Sequence, residues 1–276
     1  MNNLLSAHFA RLWRSKTFWL CAAFMVGYAV LCQIQNYFDF AAYGVASSLE
    51  NALYGYIVFY GIIQSIFTSL FIGTEYSDGT LRNKLVVGHS RLAVYVSLWI
   101  LSASAGLILC LLSLFFGILV GLPLLNGFQS SAQDILCLLL GHLGLIIAYS
   151  SIFTLIALLC QNKAASAVIS LLLAFILLFV GVYISARLSE PPVYSNVYMT
   201  ETGVTEEEVP NPNYLEGTTR EVYEFLYDCI PGGQTLQLTS SSQLPSPFWP
   251  LPLYSLFIGG ICTGLGIWIF YRKDIR

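Results

Sequence analysis

Six stretches of the chain stay apolar for long enough to cross a lipid bilayer, which takes about 20 residues of helix. They cover residues 17–35, 54–72, 92–122, 135–160, 164–186 and 251–271. In each, Leu, Ile, Val and Phe recur on every face and not along one stripe, which predicts a helix buried all round. Lipid offers no partner to a free backbone N–H or C=O, so each run must satisfy its own hydrogen bonds as a helix. The alternation of a membrane β-barrel is not seen. A basic, amphipathic stretch, residues 1–16, leads into the first run, and Gly121 and Pro123 are expected to end the third. The pattern therefore predicts an all-α integral membrane protein with six transmembrane helices.

Composition agrees. Of the 276 residues 57% are hydrophobic and 10% charged, against about 25% charged in an ordinary soluble domain. The mean hydropathy is +0.72, so both a soluble fold and a disordered chain are excluded. A net charge of −3 gives no sign of nucleic-acid binding.

The placement of the charges says more than their total. One side of the predicted topology holds Arg11, Arg14, Lys16, Arg82, Lys84, Arg91, Lys163, Arg272, Lys273 and Arg276, with only Glu75, Asp78 and Asp274, a net +7. The other side holds Arg187 and Arg220 with the remaining 12 acidic residues, a net −10. The positive-inside rule makes the basic side cytoplasmic and puts both termini there. The first run follows basic residues as a signal peptide would. Ala29-Val30-Leu31-Cys32, however, forms neither a cleavage site nor a lipoprotein box, so that span is expected to be retained.

Six of the seven cysteines fall in spans as small apolar fillers, and Cys229 stands alone in an outer connection, so no disulfide framework is expected. No CxxC or His/Cys cluster points to a metal. No GxSxG, HExxH or GxxxxGK[ST] motif points to catalysis or nucleotide binding. His142 stands eight and nine residues from Ser150 and Ser151, more than two helical turns, too far for a direct hydrogen bond. Gln33, Gln64 and His142 are the largest polar residues within spans, and Gln64 and His142 are candidates to touch a transported substrate. No charged residue sits mid-span, which argues against a proton- or sodium-driven carrier. Gly117–Gly121 and Gly260–Gly264 have the spacing that permits close helix approach.

Two connections are long enough to carry function. In the inner one, residues 73–91, Asp78 is a suitable N-cap and Gly88 a suitable C′ residue for a two-turn helix over residues 79–87. So short a helix is unstable in water alone and needs something to dock on. Anionic headgroups meeting Arg82, Lys84 and Arg91 are one possibility. A cytoplasmic partner is the other, and Glu75 and Asp78 favour it, since a lipid-seeking segment gains from neither carboxylate. The outer connection, residues 187–249, reads as largely irregular, broken by Pro191, Pro192, Pro210 and Pro212. One helix is expected over residues 219–229, with Thr218 and Glu221 at capping-box spacing, a stripe of Val222, Phe225, Leu226 and Cys229, and Pro231 as its stop. It forms either a lid packed on the span ends or a solvated surface helix.

The segment IGTEYSDGTLRNKLVVGHSR, residues 72–91, resembles the connection after the second span of bacterial ABC-2 type transporter permeases. Residues 211–234, NPNYLEGTTREVYEFLYDCIPGGQ, resemble the outer loop of such permeases from Gram-positive bacteria, and the Tyr271-Arg272-Lys273-Asp274 ending fits as well. The resemblance implies a permease subunit in the bacterial cell membrane, working as a homo- or heterodimer. It implies export of a drug, an antimicrobial peptide or a lipid-like substrate. Residues 1–16 become an interfacial elbow helix and residues 79–87 a coupling helix seated in a separate ATP-binding subunit. That subunit would bind ATP and Mg, and this chain no cofactor. The coupling contact would draw on Glu75, Tyr76, Asp78, Gly79, Thr80, Leu81, Arg82, Asn83, Lys84 and Leu85, with Lys163 in the short turn 161–163 as a second, smaller contact. The alternative is a non-transporting immunity or sensor subunit that holds a ligand at its outer loop.

Overall fold

The structure, a computed structural model, describes residues 2–44, 48–125, 127–200, 203–239 and 244–273. Its elements are α1 (Asn2–Arg14), α2 (Lys16–Tyr43), α3 (Glu50–Leu53), α4 (Ile57–Ser77), α5 (Thr80–Val86), α6 (Arg91–Leu124), α7 (Ala132–Cys160), α8 (Lys163–Leu188), β1 (Val193–Thr200), β2 (Gly203–Pro210), α9 (Gly217–Cys229), α10 (Pro231–Gln237) and α11 (Pro250–Arg272). Helices α2, α4, α6, α7, α8 and α11 are long and apolar enough to span a membrane. Polar side chains cap several of them: Ser15, Ser90, Ser131 and Asn162 each accept from a backbone N–H in the first turn of the helix they precede.

Each of the six predicted runs lies largely within one long apolar helix, with several ends shifted; α4, for one, runs on to Ser77. Helix α2 continues to Tyr43 because its polar last turns find partners: Gln33 donates to the Leu49 carbonyl (3.2 Å) and Asn36 to that of Ser48 (3.1 Å). Tyr54 follows α3, and α4 starts only at Ile57. Pro123 is absorbed in the last turn of α6, which ends at Leu124.

Helix α4 is the axis of the bundle, with 14 of its 21 residues buried; α8 and α11 bury five each and turn the rest of their apolar surface outward. Gln64 on α4 is the main interhelical polar contact. Its amide nitrogen donates to the Ser102 carbonyl on α6 (2.9 Å) and to Ser150 Oγ on α7 (3.0 Å). Tyr60 reaches α6 where Gly106 leaves room: a Cβ at Gly106 would stand 2.1 Å from the Tyr60 hydroxyl. Gly117 and Gly121 serve the same purpose inside the chain, against Leu53 and against Gln33 and Leu49. Gly260 and Gly264 meet nothing among the described residues.

The basic ends of the spans are tied together. Arg91 donates to the Phe270 carbonyl (3.0 Å), Lys273 to that of Leu159, and the Tyr76 hydroxyl to that of Leu158 (2.7 Å). At the opposite end Glu50 accepts from the backbone N–H of Gln129 (2.7 Å) and of Ser130, clamping α3 onto the α6–α7 connection.

The long connection departs from the expected irregularity. Strands β1 and β2 pair antiparallel, Val193 opposite Pro210 and Thr200 opposite Gly203. The prolines therefore bracket a hairpin of β-prone Val, Tyr and Thr and do not break it. Helix α9 begins at Gly217, after Glu216, with no side-chain cap; the capping box expected from Thr218 and Glu221 is not formed. Its packed face takes in only half of the predicted stripe, Leu226 and Cys229. Val222 and Phe225 are exposed, whereas Tyr223, Leu226 and Tyr227 are half-buried. Pro231 ends α9 but opens α10, where its missing N–H costs nothing. Helix α10 is buried among the spans: Thr235 bonds the Tyr149 hydroxyl on α7 (3.2 Å), and Gln234 the Leu251 carbonyl (3.1 Å) and Ser255 Oγ on α11. The long connection thus packs into the bundle through α10.

Candidate functional site

The residues expected to couple the chain to a partner gather at the basic end, around the junction of α4 and α5. Asp78 does not cap α5 as expected. It closes α4, its N–H donating to the Thr74 carbonyl (3.0 Å). Gly79, at φ +65°, makes the turn that the left-handed region allows a glycine, and α5 starts uncapped at Thr80. At the far end Gly88, at φ +99°, fills the C′ position expected of it.

One carboxylate organises the junction. Glu75, in the last turns of α4, is 1% exposed. Its Oε1 takes the Arg11 guanidinium of α1, and its Oε2 the Lys84 ammonium of α5 together with the Thr80 hydroxyl (2.8 Å). Arg11 also lies over the Phe71 ring, 4.5 Å from its centroid. His8 of α1 sits 3.7 Å from Glu75 Oε1, and its other ring nitrogen 3.3 Å from Ser97 Oγ on α6. Burial, with Lys84 and Arg11 adding to it against the opposing pull of Glu75, lowers the His8 pKa to about 4, so the ring is neutral at pH 7. Burial likewise lowers Lys84, against the pull of Glu75. Two cations and one carboxylate remain, so the cluster carries a net positive charge.

Leu81 anchors α5 from the other side. It is buried in an apolar cluster with Ile72, Val94, Leu98, Leu158 and Phe270. A seven-residue helix is thereby fixed to α4, α6 and α1 and presents one face outward. That face carries Asp78, Arg82, Asn83, Val86 and Val87, the two valines each 78% exposed. Tyr76, Gly79, Thr80, Lys84 and Leu85 are half-buried. Beside α5 the turn before α8 packs on α4: a Cβ at Gly73 would stand 2.8 Å from Lys163 Cα. Lys163, Asn162, Gln161, Ser77 and Tyr76 line a cavity of about 540 Å³ there.

The structure thus divides the expected contact residues. Glu75 and Leu81 face inward, and Asp78, Arg82, Asn83 and Lys163 face outward. Sequence reasoning missed Arg11 and His8 as partners of Glu75, because nothing in the sequence pairs residues 64 positions apart. It also passed over Val87, whose exposure beside Val86 is legible once the helix ends are fixed. Gln64 and His142 are both enclosed. His142 donates from Nδ1 to the Leu138 carbonyl of its own helix (2.6 Å), and its ring lies against those of Tyr54 and Tyr56. Among the described residues no His, Cys, Asp and Glu group has metal-site geometry.

The site is thus an ion-pair cluster that fixes a short helix and leaves the outer face of that helix exposed. The sequence model described as ABC-2 family transporter protein matches residues 4–181, which include most of α1, the first four spans, α5 and most of α8. No curated protein matches the chain. The match covers well over half of the sequence, and the chain belongs to the ABC-2 transporter family, as a multi-pass membrane permease component.

Proposed function

We propose that the chain is the membrane-spanning subunit of an ATP-driven exporter in the bacterial cell membrane, with α5 as its coupling helix and both termini cytoplasmic. The observation that carries this reading is the outward face of α5, where an exposed valine pair follows Asp78 and Arg82 on a helix held to three others. An exposed apolar pair on a helix too short to stand alone fits a groove in a separate ATP-binding subunit. Lys163 and the cavity beside it form the second, smaller contact.

ATP and Mg²⁺ are bound by that subunit. When two such subunits close, each carries its α5, and α4 and α1 follow through Glu75. Helix α6 follows through Leu81 and its packing on Val94 and Leu98. In a pair of permease subunits this tilts the spans and opens a path outward. Transport results only if the substrate, a drug, a peptide or a lipid-like molecule, binds the two states with different affinity.

The test is co-expression with a candidate ATP-binding subunit and reconstitution in lipid. The wild-type pair is expected to co-purify and to hydrolyse ATP. Arg82→Glu with Val86→Asp is expected to abolish co-purification while the permease keeps its thermal midpoint. Retained coupling in that variant overturns the role of α5. A chain that brings down no ATP-binding subunit is a sensor or immunity protein instead.

A further inference from the structure

Most basic residues at the basic end are engaged within the chain. Arg11 and Lys84 hold Glu75, Arg91 and Lys273 hold span-end carbonyls, and Arg272 lies over the Trp268 ring. Among the described residues Arg14, Lys16, Arg82 and Lys163 are exposed and have no ion-pair partner. Arg82 and Lys163 belong to the surface just described. Arg14 and Lys16 stand apart from it, at the corner where α1 turns into α2.

Three features of that corner point to one ligand. First, Lys16 opens a 28-residue helix. A cation there is repelled by the positive end of the helix dipole, so the local fold does not account for it. Second, Trp13 and Trp19 flank the two cations, half exposed, with ring centroids 5.9 Å apart and the Trp19 indole N–H donating to the Trp13 carbonyl (2.9 Å). Paired, half-exposed indoles are at home at the depth of the lipid headgroups. Third, a cavity of about 490 Å³ opens directly below, starting at Thr17, the residue after Lys16. Its walls are Leu20 and Phe24 of α2, Phe59 and Ile63 of α4, and Phe175 of α8. Phosphate-binding cations, interfacial indoles and an apolar cleft succeed one another in the order of a phospholipid's own parts.

We infer that the α1–α2 corner binds an anionic phospholipid, its headgroup on Arg14 and Lys16 and an acyl chain in the cleft between α2, α4 and α8. Because α1 is bound to α5 through Glu75, a lipid held there steadies the same element that faces outward. The inference takes the orientation from the proposed function, with the basic end at the inner leaflet. The experiment below needs neither that orientation nor an ATP-binding subunit, so the two readings fail separately.

The purified chain, with Trp99, Trp249 and Trp268 replaced by Phe so that only Trp13 and Trp19 remain, is placed in phosphatidylcholine nanodiscs containing a minor fraction of brominated lipid. Brominated phosphatidylglycerol is expected to quench the remaining tryptophans more strongly than brominated phosphatidylcholine. In Arg14→Gln with Lys16→Gln the preference is expected to fall by roughly tenfold, since each basic residue near an anionic surface favours it by several-fold. Both residues are exposed and unpaired, so folding is expected to be unchanged, and the thermal midpoint checks this. Excess glycerol 3-phosphate is expected to leave the quenching unchanged. Equal quenching by the two lipids in the unsubstituted corner overturns the inference. So does an unchanged preference in the double variant, or relief by glycerol 3-phosphate, which would make the corner a simple phosphate site. Quenching that disappears only in discs holding two copies gives the cleft to a second copy and also overturns it.

Discussion

The carboxylate of Glu75 and the ammonium of Lys84 form an ion pair across the two-residue break between α4 and α5. The break lets the chain change direction, and the pair fixes the new direction. Arg11 on the other carboxylate oxygen brings α1 into the same unit.

Glu75→Gln leaves two cations facing each other with no anion between them. Removing one member of a buried ion pair is expected to cost on the order of 3 kcal/mol, less here to the extent that water reaches Arg11. Thermal unfolding in detergent should show a clear fall in the midpoint. Replacing Arg11, Glu75 and Lys84 together by Met, Leu and Met should recover most of it, because no charge is then stranded. A triple variant as unstable as Glu75→Gln would show that the cluster is not the source of the loss.

His8 gives the junction a pH dependence of definite sign. Burial, then Lys84 and Arg11, lower its pKa from 6.5 to about 4, opposed by Glu75, and Ser97 is its other polar neighbour. The unfolded chain therefore binds the proton first. The contribution of neutral His8 is fully present above pH 6.5 and is lost as the pH falls towards 4, by about 3 kcal/mol. Midpoints measured across that interval should decline in the wild type, and His8→Gln should remove this part of the slope.

What could be read in advance and what could not divides along physical lines. The spans were legible because lipid imposes a one-residue-at-a-time rule: Leu, Ile, Val and Phe must persist for about 20 positions wherever the chain crosses. Gly88 was legible because a left-handed residue after a short helix is a local matter. Asp78 misled because a good N-cap residue is equally able to close the preceding helix, and the sequence does not say where α4 stops. Glu75 was expected beside α5, but its burial depends on Arg11 and His8 folding back from α1. Pro231-Gly232-Gly233 read as a stop because the same residues end helices and permit close packing. Only the neighbouring α8 decides between them.

At the opposite end Glu50 is predicted to carry a smaller share of stability. Burial raises its pKa, but the Gln129 and Ser130 N–H groups and the Ser48 and Ser130 hydroxyls together outweigh it and hold the carboxyl below its usual range. Hydrogen bonds to a charged group contribute about 2 kcal/mol. Glu50→Gln should lower the midpoint accordingly and speed hydrogen exchange at Gln129 and Ser130, while exchange in α5 stays as it was. Since the folded pKa is depressed, this contribution is present above the ordinary carboxyl pKa and is lost as acidification protonates the folded group.

The packing of α10 into the bundle turns on one glycine. A Cβ on Gly232 would stand 1.7 Å from the Leu177 carbonyl oxygen of α8, and that atom is backbone, which cannot rotate away. Gly181 of α8 faces the same contact from its own side, with a Cβ 2.5 Å from the Gly232 carbonyl carbon. Gly232→Ala must therefore push α10 off α8 and strain the Thr235–Tyr149 and Gln234–Ser255 bonds with it. The cost is expected to reach about 3 kcal/mol, the upper end for overpacking, and protease nicking of the long connection should increase. Gly217→Ala tests whether the effect is one of packing. That residue, at φ +54° with nothing near its Cβ position, should cost about 1 kcal/mol through its backbone conformation alone and should leave α10 protected. Equal nicking in the two variants would mean that α10 is held by the conformation of the connection and not by its seat against α8.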